Sequence, residues 1–236
     1  MRDWKAFWNS IDTQQGKNND WSSMMAQVGK TIQQKPIDSS QFKMVYEKIV
    51  TTLSLEKDDI VLDLCCGNGI VTAKISDYVK SVFGVDFSQP LIDIAKATSP
   101  NNINYFCCSV LDDFLVELLG NHKFKKIYMN TGLQHFVEHD FAKLLDNFLL
   151  LSDSTSTLFI TDIPEKKNLF SFYNTEERRE DYYKRIANGT EAIGTWWERE
   201  FLIEVVTNKG LFIKTLEQAV DLHTAHYRFD IIIYRK

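Results

Sequence analysis

One stretch constrains the fold more than any other. Val61-Leu62-Asp63-Leu64-Cys65-Cys66-Gly67-Asn68-Gly69 is a short apolar run that ends in a glycine-containing turn. A run of that length bounded by a turn reads as a buried strand, and the apolar residues from Ile70 to Ser76 then open a helix. The alternation continues along the chain. Ser81–Val85 reads as a strand closed by Asp86, and Ser88-Gln89-Pro90 starts a helix that runs to about Thr98. Ile103–Cys108, Lys126–Met129 and Thr157–Thr161 read as further strands, with helices expected over Leu111–Leu119 and Phe141–Leu151. Strand and helix in strict alternation imply a parallel sheet covered by helices on both faces. Near the end, Phe201–Asn208 reads as a helix stopped by Gly210, and Leu211–Leu216 and Tyr227–Tyr234 read as strands. No crossover helix lies between those two strands, so they must pair antiparallel.

The flanking segments differ from this core. Residues 1–40 are polar and uneven, with Gly16-Lys17-Asn18-Asn19-Asp20 as a loop. Trp4, Phe7, Trp8 and Ile11 have helical spacing, and a second apolar patch covers Trp21–Val28. We read 1–40 as a helical lid on a domain of residues 41–236. The domain opens with a helix after Pro36 that carries Phe42, Val45, Tyr46, Ile49 and Val50 on one face. Residues 164–200 are charged and aromatic without strong periodicity, which marks an insertion in that domain.

Composition narrows the function. The 236 residues carry a formal net charge of −5 and no lysine- or arginine-rich stripe, which speaks against a nucleic-acid partner. No run of about 18 apolar residues is present, and the N-terminus lacks the apolar segment of a secretory signal, so no membrane partner and a cytoplasmic location are expected. The four cysteines form two adjacent pairs, Cys65-Cys66 and Cys107-Cys108, without zinc-site spacing. They read as reduced core thiols, and no metal is expected. Oligomeric state is not legible.

The glycine turn carries the chemistry. Glycines let a backbone approach a ligand closely, and the following helix N-terminus offers free N–H groups. Asp86, ending the next strand, can accept hydrogen bonds from two ribose hydroxyls. A dinucleotide site would share these features, but its third glycine falls at position 72, where threonine stands. Asp63, at the strand end, is also unusual there and suits the ammonium of an amino-acid moiety. A nicotinamide-dinucleotide-binding protein remains the alternative from a different class.

These residues resemble the first motif of the class I S-adenosylmethionine-dependent methyltransferases, with Asp63, Gly67 and Gly69 in place and Cys65 where the family's first glycine stands. The resemblance covers roughly residues 40–164 and, more loosely, the last strands. It implies a Rossmann-like α/β fold, with a seven-stranded, mostly parallel sheet, a reversed final strand and S-adenosylmethionine as cofactor. It also places Asp86 on the ribose and Phe87 against the adenine. Ser109 stands where the family often has an aspartate, so the adenine amine falls to Ser109 and the backbone at Val110, or to Asp112. Asn130 comes near the methyl donor, and the family's acid near Lys125 is missing.

His135 follows the fourth strand at the edge where open α/β sheets bind ligands, and imidazole can take a proton from a hydroxyl acceptor. It also reads, and more readily, as a residue that caps the next helix or packs on it. Trp196, Trp197, His226 and Arg228 are candidates for the acceptor pocket, as stacking platforms, a loop imidazole and a cation. His223 belongs with His226, and Arg199 could hold a phosphate. Gln27–Thr31 is a turn that could fold over the cofactor's carboxylate. The whole resembles bacterial methyltransferases of surface-glycan or secondary metabolism. It suggests a small-molecule O-acceptor such as a sugar, nucleotide-sugar or phosphorylated metabolite, with a protein or nucleic-acid acceptor as the alternative.

Overall fold

The structure is a computed structural model that describes residues 2–11 and 20–235. The loop expected at 16–20 lies, but for Asp20, outside the described residues. Three aspartates start the first helices. Asp3 accepts from Ala6 N ahead of α1 (Trp4–Asn9), and Asp20 accepts from Ser22 N and Ser23 N ahead of α2 (Trp21–Gln27). A small hairpin follows, β1 (Thr31–Ile32) and β2 (Lys35–Pro36). Asp38 then caps α3 (Ser39–Thr52) by accepting from Gln41 N.

The main sheet begins with β3 (Ile60–Leu64), followed by α4 (Ile70–Ser76), β4 (Ser81–Asp86), α5 (Gln89–Thr98) and β5 (Ile103–Cys107). It continues through α6 (Leu115–Leu118), β6 (Lys126–Asn130), α7 (Glu138–Leu151) and β7 (Thr157–Pro164). After α8 (Leu169–Phe172), α9 (Glu176–Ala187) and α10 (Arg199–Asn208), the chain ends in β8 (Phe212–Glu217) and β9 (Arg228–Tyr234). The strand order is β5-β4-β3-β6-β7-β9-β8. β9 runs antiparallel to both of its neighbours, and every other pairing is parallel. This is the Rossmann-like seven-stranded sheet with a reversed last strand.

Side-chain alternation divides the core. Leu62, Ile127 and Leu158 point to one face and pack with Phe141, Leu144, Leu145 and Phe148 of α7 and with Leu202 and Val206 of α10. Val61, Tyr128 and Phe159 point to the other and pack with Phe42, Val45 and Ile49 of α3 and Ile75 of α4. Fully burying each such side chain contributes about 1.5–3 kcal/mol. Among the described residues no helix is long and apolar enough to cross a membrane.

Two elements differ from the sequence reading. The helix expected over Leu111–Leu119 shrinks to Leu115–Leu118, because Ser109 and Asp112 compete for the backbone. Asp112 Oδ2 accepts from Ser109 N, and Ser109 Oγ accepts from Leu111 N, which makes a turn instead. The β1–β2 hairpin turns through Gln33 and Gln34, both with positive φ, without the Asn-Gly or Asp-Gly pair that would announce it.

Candidate cofactor and acceptor site

The glycine turn is built at the C-terminal end of β3. Cys65, Gly67 and Gly69 all take positive φ, and Cys65 does so at +60°. The backbone therefore keeps the left-handed bend a glycine would favour, although a side chain is present. Its Sγ-bearing carbon lies 3.0 Å from where a Cβ on Gly132 would be. Cys65→Gly removes a left-handed conformation costing roughly 1–2 kcal/mol and adds a glycine entropy cost of about 0.5–1 kcal/mol. We expect this variant to stay within about 1 kcal/mol of the parent in urea unfolding and to keep its cofactor affinity. A large loss of affinity would show that the thiol itself is needed.

Two carboxylates fix the turn. Asp86 Oδ2 accepts from Gly67 N at 2.9 Å, and Oδ1 accepts from Ser88 N at 2.9 Å. Burial still holds the Asp86 carboxyl above its ordinary range. Asp63 Oδ2 accepts from Thr72 Oγ1 and Tyr128 Oη, both at 2.6 Å. Burial pushes Asp63 up to about 7, with those two hydroxyls acting against it. Thr72 thus does more than replace a glycine, since its hydroxyl helps to orient Asp63. Asn68 ties the turn to α2, donating to Met24 O and Gln27 Oε1, both at 2.9 Å.

A cavity of about 330 Å³ opens above this edge. Asp63, Cys65 and Gly67 line it from β3, and Asp86 and Phe87 from β4. Ser109 and Val110 line it after β5, and Asn130 and His135 after β6. Gly69 is not on its wall. It packs beneath Tyr105, where a Cβ would come within 2.3 Å of the phenol oxygen, so its role is close packing.

The four acceptor candidates fall elsewhere. Trp197 is 1% exposed, its Nε1 donates to Leu133 O at 3.2 Å, and its ring lies beside Phe141 and Phe201. It is a core anchor and offers no face to a sugar. Trp196 is half-buried among Phe172, Tyr173 and Tyr227. His226 is exposed beside Tyr227. Arg228 is buried, with its Nη1 donating to Gln134 Oε1 at 2.8 Å and to Asp162 O at 2.6 Å. None of the four lines the cavity. Arg199 is bound to Glu165 and Glu217, and the His223 ring lies 3.0 Å from Gln41 Oε1.

His135 also differs from the base that was expected. Its ring lies under Trp4, with centroids 4.3 Å apart, and beside Trp8 at 5.4 Å. Burial, with Arg228 and Arg2 nearby, pushes it down to about 3. The imidazolium that base catalysis would form is therefore disfavoured in this environment.

The reading missed several wall residues. Lys30 lines the cavity, with Nζ 2.7 Å from Asn130 Oδ1 and 3.3 Å from Thr131 Oγ1. Burial pushes it down to about 8. Its turn was noted from sequence, but its reach to β6 depends on the hairpin. Thr131, at φ +61°, and Asp162, at φ +70°, join Cys65 as left-handed non-glycine residues at this edge. Backbone strain of that kind clusters at ligand sites. Trp4 and Trp8 of α1 also line the cavity.

Residues 61–151 match the family model described as a methyltransferase domain, and the same segment holds the glycine turn, Asp86 and the β6 edge. That segment carries a methyltransferase domain. In fold the chain is similar to the magnesium protoporphyrin IX methyltransferase of Synechocystis PCC 6803, with a TM-score of 0.64 and 13% identity over 99% of this chain and 98% of that one. In sequence it is 27% identical to the 23S rRNA (uracil(1939)-C(5))-methyltransferase RlmD of Francisella tularensis subsp. novicida over 49% of this chain. The chain spans only 28% of that relative's length. It is also 26% identical to a probable cobalt-precorrin-6B C(15)-methyltransferase of Methanococcus maripaludis, over 65% of this chain and 83% of the relative.

Proposed function

We propose that this protein transfers a methyl group from S-adenosylmethionine to an oxygen of a small molecule bearing an acid or phosphate group. Sugar phosphates, nucleotide-sugars and related phosphorylated metabolites fall in that class. The observation that carries this reading is the acceptor end of the cavity. It is roofed by Trp4 and Trp8 over a neutral His135. A hydroxyl acceptor needs a base, and a depressed histidine is a poor one. An already ionised oxygen needs none, so the neutral imidazole favours an anionic acceptor.

The residues present fit the cofactor. Asp86 would hold the ribose hydroxyls, Phe87 and Leu91 would border the adenine, and Ser109 and Val110 would meet its edge. Asp63, Asn130 and Lys30 surround the place for the amino-acid portion. Lys30 forms no ion pair among the described residues, its two hydrogen-bond acceptors are neutral, and the carboxylates of Asp162, foremost, and Asp63 lie within electrostatic reach. A zwitterion suits Lys30 and Asp63 as a pair of buried charges. When bound, the cofactor supplies a sulfonium-activated methyl group. The protein's part is to align the acceptor oxygen with it and to exclude water, which Trp4 and Trp8 do from above.

Calorimetry with S-adenosylhomocysteine, with its truncated analogue lacking the amino-acid portion, and with a nicotinamide dinucleotide tests the cofactor assignment. Lys30→Met is expected to weaken S-adenosylhomocysteine about tenfold or more and to leave the truncated analogue unchanged, because a charged hydrogen bond contributes about 1.5–3 kcal/mol. The parent's preference for the full ligand should fall as pH rises through about 8, where Lys30 loses its charge. A screen of carboxylate, phosphate and hydroxyl small molecules against RNA, read as methyl transfer, tests the acceptor. Turnover on RNA alone would overturn the small-molecule reading.

A further inference from the structure

Behind the cavity wall, a chain of polar contacts runs from β7 through β9 to the short helical turn Leu133–His135 after β6. Arg228, at the start of β9, is 5% exposed. Its Nη1 donates to Asp162 O and to the side-chain oxygen of Gln134 at 2.8 Å, and Asp162 Oδ2 lies 3.7 Å from the same nitrogen. Gln134 is itself buried, and its main-chain oxygen accepts from Thr195 N at 2.7 Å, so backbone and side chain are both held. Gly194 supports that contact, since a Cβ there would fall 2.2 Å from Gln134 O.

The polarity of this chain is forced at each step. Guanidinium has donors only, so the atom of Gln134 that faces Arg228 must be the amide oxygen. The amide nitrogen then faces His135, and it too has only donors. It lies 3.4 Å from His135 Nε2. At that length the contact is weak, but its sign is not in doubt. A protonated Nε2 would set N–H against N–H, whereas a bare Nε2 accepts. A neutral imidazole carries one proton, which leaves it on Nδ1. Nδ1 is buried and has no hydrogen-bond partner among the described residues. The same holds for Nε1 of Trp4, an obligate donor on the ring tilted at 56° beside His135. Buried donors without acceptors cost about 1–3 kcal/mol each.

We propose that Gln134, clamped by Arg228, is a positioning residue that holds His135 as the neutral Nδ1–H tautomer, so that the histidine is an uncharged part of the cavity wall and not a base. This rests on the reading of the Trp4–His135 end of the cavity as the acceptor site. It gives Arg228, expected from sequence to touch substrate, a role through two intervening side chains.

The test is the nitrogen spectrum of the full chain labelled with ¹⁵N-histidine and saturated with S-adenosylhomocysteine. Five histidines give five sets of signals, and a His135→Asn variant identifies the relevant one. The expected pattern is a protonated Nδ1 and a bare Nε2, unchanged across about pH 5 to 8, the range in which an ordinary histidine titrates. Gln134→Glu places a carboxylate opposite Nε2, with Arg228 and Arg2 as the nearby cations. It should move the proton to Nε2 and bring the histidine's titration up towards that range. A protonated Nε2 in the parent protein, or a Gln134→Glu spectrum identical to it, overturns the proposal. Should the variant fail to fold, the parent spectrum alone decides. The cofactor readings are separate. No binding of S-adenosylhomocysteine by the parent in calorimetry sinks the functional reading, whereas the tautomer is recorded both with and without that ligand and is decided by the spectrum alone.

Discussion

Asp86→Ala is expected to weaken S-adenosylhomocysteine binding by roughly two orders of magnitude or more, the largest affinity loss of any single change in the cavity. A carboxylate accepting from two ribose hydroxyls makes charge-assisted bonds of about 1.5–3 kcal/mol each, and 1.4 kcal/mol is tenfold in affinity. The loss has a second source. Asp86 Oδ2 and Oδ1 accept from Gly67 N and Ser88 N, so its removal leaves two backbone donors without partners at the turn that receives the ligand. The two contributions can be separated. Asp86→Asn keeps one oxygen acceptor and puts a donor at the other place, so it should retain part of the turn's geometry while losing one ribose bond. An Asp86→Ala chain that melts near the parent temperature yet binds as tightly as the parent would remove Asp86 from the ribose and require another acid for that role.

The cavity wall proposed to hold the cofactor was legible in the sequence because it is local. Asp63, Cys65, Gly67 and Asp86 lie at the ends of two adjacent parallel strands, and a strand end followed by a helix puts its side chains at one edge whatever the rest of the chain does. The sheet was legible for the same reason, from alternating apolar runs. The part proposed for the acceptor was not. It draws on α1 and the turn after β6, segments far apart in sequence. Lys30 reaches Asn130 and Thr131 from just before a hairpin whose left-handed turn at Gln33 and Gln34 their residue types do not announce. Arg228 was noticed for its charge, but whether a buried arginine faces a ligand or a neighbouring amide depends on partners that no local pattern reveals. Trp196 and Trp197 show the same limit. Adjacent residues leaving a loop must point in different directions, and the sequence does not say which ring turns inward.

That last distinction gives the second large effect. Trp197→Ala is expected to destabilise the fold by about 3–5 kcal/mol, as truncation of a fully buried aromatic does. Against a total stability of about 5–15 kcal/mol this is a large fraction, and it should show as a marked fall in the urea midpoint with little change in slope. The indole is walled by Phe141 and Phe201, and its N–H holds Leu133 O at the start of the turn that carries Gln134 and His135. Trp197→Phe separates the two contributions. It keeps most of the apolar volume and removes one of the two hydrogen bonds that Leu133 O accepts, the other coming from Phe136 N, a cost of about 0.5–1.5 kcal/mol. Trp196→Ala, at a half-buried ring, should cost distinctly less. Below its unfolding transition, the Trp197→Ala chain should still bind S-adenosylhomocysteine, because no atom of Trp197 lines the cavity. The opposite pattern, an unaltered urea midpoint with lost turnover on an identified acceptor, would return Trp197 to the substrate pocket that its sequence position first suggested.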